Sequence, residues 1–138
     1  MKKLDPTMAQ QIADAISVFQ EQQTGHPPKT VSVVLGGNML VVTLHEALSP
    51  AEKALSSTPG GVAQIQEFHR QLFESSVYLL QDEIKRITGV AVGEAAAEVE
   101  TTSGAVEHVF TSGVVVQVFR LSGKIPMDSW SGSGSSTQ

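Results

Sequence analysis

Four histidines and fourteen acidic side chains supply the acid–base groups of this 138-residue chain that could work near neutral pH. His45-Glu46 sets an imidazole beside a carboxylate, a combination able to move protons or to begin a metal site. Adjacent residues on an extended strand point to opposite faces, so the pair reads as a polar strand end rather than a dyad. His69 stands four residues after Ile65 and four before Phe73, beside an apolar helical stripe, with Glu67 and Glu74 off its line. A histidine so placed reads as a core or interface residue. Glu107-His108 and His26 have no partner at ligand spacing, and neither H-x-x-x-H nor H-E-x-x-H occurs, so zinc chemistry is not expected.

Other chemistries lack their residues. With no cysteine there are no disulfides, thiolate nucleophiles or Cys-ligated metals. No G-x-S-x-G, P-loop or G-x-G-x-x-G is present, and Gly36-Gly37 and Gly60-Gly61 read as turns. Gly61 precedes a long helix whose N-terminus would suit an anion, but no Lys or Arg flanks it. Lys85 and Arg86 suit the negative end of that helix and need no ligand. No catalytic residue, cofactor-binding residue or metal ligand is assigned, no cofactor is expected, and the chain is read as not an enzyme.

The elements behind these residues can be read from periodicity and caps. Asp5 as N-cap and Pro6 at the first position predict a helix over Pro6 to Gln23, with Met8, Ile12, Ala15, Ile16 and Phe19 as its stripe and Gly25 as its stop. Thr30 to Leu35 and Met39 to His45 read as a hairpin about Gly36-Gly37-Asn38, with Leu40, Val42 and Leu44 inward. Ser49-Pro50-Ala51-Glu52 is a capping box that opens a short helix to about Ser56, and Ser57 to Gly61 breaks it. From Val62 to Thr88 no Pro or Gly interrupts a stripe of Ile65, Phe68, Leu72, Phe73, Val77, Leu80, Ile84 and Ile87, and Gly89 closes it. That helix, roughly 40 Å long, should overhang a domain of this size. Val90 to Thr101 reads as a strand, Thr102-Ser103-Gly104 as a turn, Val106 to Phe110 as a strand extension and Val114 to Leu121 as the strongest strand, central or covered on both sides.

Composition sets the outer bounds. A hydrophobic fraction of 41% with a net charge of −5 is that of a folded chain, and the length suits one domain. Residues 1–121 are expected to form it, and residues 122–138, rich in Ser and Gly, to trail as a flexible tail with Trp130 its one apolar handle. Nine basic against fourteen acidic residues argue against nucleic acid as a partner. No run of 18 apolar residues exists and the N-terminus lacks an apolar signal core, so no direct membrane insertion and a cytoplasmic location are expected.

The segment Lys29 to Leu55, with its word Leu48-Ser49-Pro50-Ala51-Glu52-Lys53-Ala54-Leu55, resembles the MpsC-like family of bacterial proteins. Gly25-His26-Pro27 before the first strand, the long helix, and Leu80 to Thr88 running into Gly89-Val90 extend the likeness over about Pro6 to Leu121. It departs after Glu100, where the hairpin through Thr101 to Gly113 is longer. The resemblance implies association with a sodium-translocating, membrane-potential-generating system and with inorganic-carbon uptake, and it supplies no catalytic residues. The expected fold is α+β: one antiparallel sheet of about four strands from two hairpins, packed by an N-terminal and a long central helix, in the order α-β-β-α-α-β-β. The expected partners are a second copy of the chain, through the long helix or a sheet face, and a membrane transport subunit. The leading reading is a cytoplasmic accessory or regulatory interaction protein. The alternative is a small-molecule or anion sensor binding at a homodimer interface, and a third is a hydrolase using His45 or His69 beside a carboxylate in a cleft.

Overall fold

A helix begins where side chains can hold the free N–H groups of its first turn. Thr7, not Asp5, does this for α1 (Met8–Thr24): its hydroxyl accepts from Gln10 N while the Gln10 side chain accepts from Thr7 N. Asp5 and Pro6 lie outside the residues that the computed structural model describes, which are 7–93, 105–109 and 113–131. Ile12 and Ile16 are buried, and Gly25 stops the helix at a φ of 77°.

The first hairpin joins β1 (Thr30–Gly36) to β2 (Met39–His45), with Gly36 opposite Met39. Gly37 takes a φ of 63° and Asn38 does not go positive, the pattern of a II′ turn. Asn38 also ties the hairpin to the far end of the sheet. Its carbonyl accepts from Leu121 N at 2.8 Å and its side-chain amide donates to the Leu121 carbonyl at 3.1 Å.

The second hairpin differs from the expected one. It joins β3 (Ala105–Val109) to β4 (Val115–Arg120), and the sheet runs β1-β2-β4-β3 with every neighbour antiparallel. β4 is thus central, with β2 and β3 occupying its two edges. The stretch expected as a strand from Val90 therefore reaches β4 only past the last β3 pair, as a single bridge from Val92 to Leu121. The rest of that expected strand, and the turn at 102–104, lie outside the described residues. Alternation fixes the faces: Leu40, Val42, Leu44, Val115 and Phe119 are fully buried beneath the helices, while Val34 on the other face is 60% exposed.

α2 (Pro50–Leu55) carries the expected capping box, with Ser49 as N-cap. The long helix α3 (Pro59–Thr88) begins three residues earlier than the periodicity suggests. Thr58 caps it by accepting from Gly61 N at 3.0 Å, and Pro59 takes the first position, so the two glycines form the first turn rather than a break. Gly61 has a packing reason. A Cβ there would lie 1.7 Å from the Leu55 carbonyl oxygen, so glycine alone lets the end of α2 abut the start of α3. Gly89 ends α3 at a φ of 78°.

The buried face of α3 runs through Ile65, His69, Phe73, Ser76, Val77, Leu80, Ile84 and Thr88. It is rotated from the expected stripe: Phe68 is 48% exposed and His69 only 1%. α1 packs on β1 and on α3, and α3 packs on β3, which makes one helical layer over one sheet face.

Packing also continues past the boundary expected at residue 121. Ile125 is buried, and Trp130, in α4 (Met127–Trp130), packs against the core. These two apolar anchors hold a segment whose Ser/Gly composition reads as a tail. Residues 132–138 lie outside the described residues. Gly61→Ala is expected to cost about 2 kcal/mol by forcing α2 from α3, whereas Gly60→Ala, with open space at its Cβ, should cost nothing. Urea unfolding of the two variants tests this, and equal stability would show that the α2–α3 contact yields.

Candidate functional site

Glu52 occupies the third position of α2, where a capping box turns its carboxylate back toward the N-cap. Oε1 accepts from Ser49 N at 2.9 Å. That leaves Oε2 uncommitted, and it lies 2.6 Å from His69 Nε2. Burial raises the affinity of Glu52 for a proton, but the Ser49 N–H, His69 and the Ser49 hydroxyl outweigh it and hold the carboxyl below its ordinary pKa. The carboxylate is therefore ionised at neutral pH, and the short contact assigns a hydrogen to His69 Nε2, which donates. Phe68 also stands perpendicular to the imidazole in a T-shaped arrangement, at a centroid distance of 5.6 Å.

A second polar pair lies in the sheet below. Glu107 and Gln117 are directly opposite in the β3–β4 register, and Gln117 Nε2 donates to Glu107 Oε2 at 2.8 Å. Glu107 Oε1 and Gln117 Oε1 are buried without a partner. Burial pushes the Glu107 carboxyl up to about 7, and the Gln117 hydrogen bond offsets this only in part. Glu107, Gln117, His69, Ser76 and Gln20 line a cavity of about 10 Å³, room for one water molecule. A single water there could donate to both orphaned oxygens.

This cluster can keep one carboxylate ionised and exchange one proton near neutrality. It has the carboxylate that a His69 hydrolase would need, but His69 is 1% exposed and the cavity beside it admits no substrate. Among the described residues no three His, Asp or Glu side chains converge as metal ligands. The remaining sequence candidates lie elsewhere. His45, the last residue of β2, and Glu46 just after it are both exposed, and Glu46 takes a φ of 50° and faces Lys29 Nζ at 3.7 Å. His26 Nε2 is 3.2 Å from the Glu46 carbonyl, a loop contact. His108 pairs in register with Val116.

Sequence reading placed Glu52 in its cap and His69 in the core without joining them, because they are 17 residues apart on different helices. The available signal was the spare oxygen that every capping-box carboxylate has. Gln117, a lone amide at an inward position among valines, was the signal for the second pair.

Two substitutions separate the pairs. Glu107 binds its proton more tightly folded than unfolded, so its contribution is full below about pH 4.5 and declines until about pH 7. Glu107→Gln should remove that decline and raise stability at pH 8 by on the order of 1–3 kcal/mol. Glu52 has the opposite sign: its contribution is present above 4.5 and is lost as pH falls through its lowered pKa. Glu52→Ala, which strands a buried imidazole and opens the cap, should cost about 2–4 kcal/mol at pH 7. Urea unfolding at a series of pH values measures both, and an unchanged slope in Glu107→Gln would assign the titration to another group.

The family model described as Na+-translocating membrane potential-generating system (MpsC) matches residues 5–113. The matched span takes in α1, the first hairpin, both members of the Glu52–His69 pair and β3. Uncharacterized protein YbcI of Bacillus subtilis (strain 168) is 26% identical over 110 residues, which are 80% of this chain and 89% of the relative. No solved structure matches the chain. Among the described residues no helix is long and apolar enough to cross a membrane. The likeness first visible in Leu48 to Leu55 thus extends over most of the length, and the chain belongs to the MpsC family.

Proposed function

We propose that the chain is a non-enzymatic accessory or regulatory subunit that acts as a homodimer in the cytoplasm and serves an ion or inorganic-carbon transport system. The transport assignment leans on the family's description, and the interaction role on one observation: the outer face of the sheet. Val34 pairs with Val41 and Val41 with Val118, so one apolar row crosses three strands. Beside it run Ser32, Thr43 and Val116 on one side and Met39 and Arg120 on the other. Arg120 is the one charged residue among these, and Val41, Thr43, Val116 and Val118 are only half-buried.

A second copy is the occupant that suits this face. A two-fold axis sets a patch against itself, and apolar rows with few charges meet their own copy without bringing like charges together. Four strands about 4.8 Å apart and about six residues long give a face of roughly 400 Å². Two such faces in aligned sheet packing, with side-chain relief included, bury about 1,000 Å², the lower end of specific interfaces. The sealed polar cluster fits a subunit that presents surfaces rather than one that turns over substrate.

Light scattering on the full chain is expected to give a dimer mass, and Val41→Glu, on the sheet face away from the helices, should give a monomer of unchanged helical content. A monomer mass at all concentrations overturns the dimer. Capture on the tagged chain from solubilised native membranes is expected to recover a membrane transport subunit. Recovery of the chain alone, from the soluble fraction, overturns the accessory role.

A further inference from the structure

We infer that the groove between α1 and α3 receives a basic amphipathic helix of a partner protein; this rests on the interaction reading above and specifies the chemistry of the partner. The groove has a volume of about 640 Å³. Its apolar floor comes from Val18 and Phe19 of α1 and Leu79 of α3, and Val18 and Leu79 remain 53% and 60% exposed. On α1 the lining recurs as Gln11, Asp14 and Val18, and on α3 as Leu79, Asp82 or Glu83, and Arg86. Both series follow i, i+3 or i+4, i+7, so each helix presents about two turns to the same trough, the shape into which a third helix sets its apolar stripe.

The apolar path is longer than the groove itself. At about 100° per residue, the eleven positions from Phe68 to Leu79 return the helix to within about 20° of its starting direction. Phe68, 48% exposed, therefore continues the outward line of Leu79, with Ser75 between them. An exposed apolar line of this kind lies outside the face that α3 turns to the core, which runs through Ile65, Phe73, Val77, Leu80 and Ile84.

Charge selects the occupant. Asp14 stands on one wall and Asp82 and Glu83 on the other, against a single cation, Arg86, whose guanidinium is engaged by Glu83. A second copy, itself of net charge −5, would bring acid against acid. An anionic lipid surface would be repelled in the same way. A helix with Lys or Arg flanking its apolar stripe pairs with the rim and fills the floor. An excess of Lys and Arg is what membrane proteins carry in their cytoplasmic segments.

The test uses the full chain, isotope-labelled for amide spectra, and three synthetic peptides of about four turns. One has Leu at helical spacing among Lys, one is its scrambled form, and one has Glu for every Lys. The Lys peptide should shift amides of 14–19 and 79–86, bind at least tenfold tighter than the other two, and weaken as salt rises. Leu79→Ser should weaken it about tenfold, and Asp14→Lys with Asp82→Lys should reverse the preference toward the Glu peptide, with thermal unfolding confirming that both variants fold. Equal binding of the Lys and scrambled peptides, shifts elsewhere, or concentration-dependent shifts at 14–19 and 79–86 without peptide would overturn the inference. If the charge-reversed chain still captures a transport subunit as well as the parent, the groove is rejected while the accessory role stands.

Discussion

The hydrogen bond between Glu52 Oε2 and His69 Nε2 sets the rotation of α3 about its own axis. An apolar stripe alone leaves that rotation loose, because Phe68, Leu72 and Ile87 could each turn inward with Ile65, Phe73 and Leu80. Turning His69 inward would ordinarily cost the desolvation of an imidazole, about 1–3 kcal/mol if left unpaired. Glu52 removes that cost, and it can do so only because α2 ends against the first turn of α3. Glycine at position 61 makes that contact possible. Cap, close approach and buried pair therefore act as one device. Its result is a helix that buries His69 and leaves Phe68 and Leu79 outside.

The pair in the sheet works against this order. Gln117 and Glu107 sit at inward positions of β4 and β3, two acceptors without donors in an apolar layer. A valine and a leucine there would pack better at neutral pH. Both pairs line or border the same small cavity, with His69 on its wall, so the ionised Glu52 is one side chain away from a carboxyl that titrates near neutrality. His69 is the titratable group that α3 turns toward Glu107. The facing wall from α1 is neutral, with Ile16, Phe19, Gln20 and Gln23. Among the described residues that line the cavity, a proton entering or leaving Glu107 changes the charge under the helical layer next to the His69–Glu52 pair.

How much of this could be read in the chain depended on range. Signals within four residues were legible: the Ser49–Glu52 box, Gly25 and Gly89 as stops, the alternation of β2. So was the family, since Leu48 to Leu55 is a local word. The start of α3 was misread because Pro59-Gly60-Gly61 has the composition of a turn, and only the contact with Leu55 gives the glycine a helical use. Pairings over longer range were not legible. A strand at Val90 has the right residues, but the edge of β4 it would need is held by β3, and sequence does not rank competing partners. The same holds for Ile125 and Trp130, whose burial depends on a surface formed by the rest of the fold.

The two outer surfaces differ in a way that bears on assembly. The sheet's outer face is apolar and nearly uncharged, whereas the α1–α3 groove is apolar with an acidic rim. They lie on opposite sides of a two-layer structure, so occupancy of one does not obstruct the other. Because α3 is one rigid element from Pro59 to Thr88, its groove residues and its His69 face move together. Phe19 and Leu80 line both the groove and the small cavity, so a helix seated against Leu79 rests beside side chains that also bound the cavity. Binding outside and protonation inside are therefore mechanically adjacent, separated by the side chains of Phe19 and Leu80, and the rotation fixed by Glu52 is what holds them in that relation.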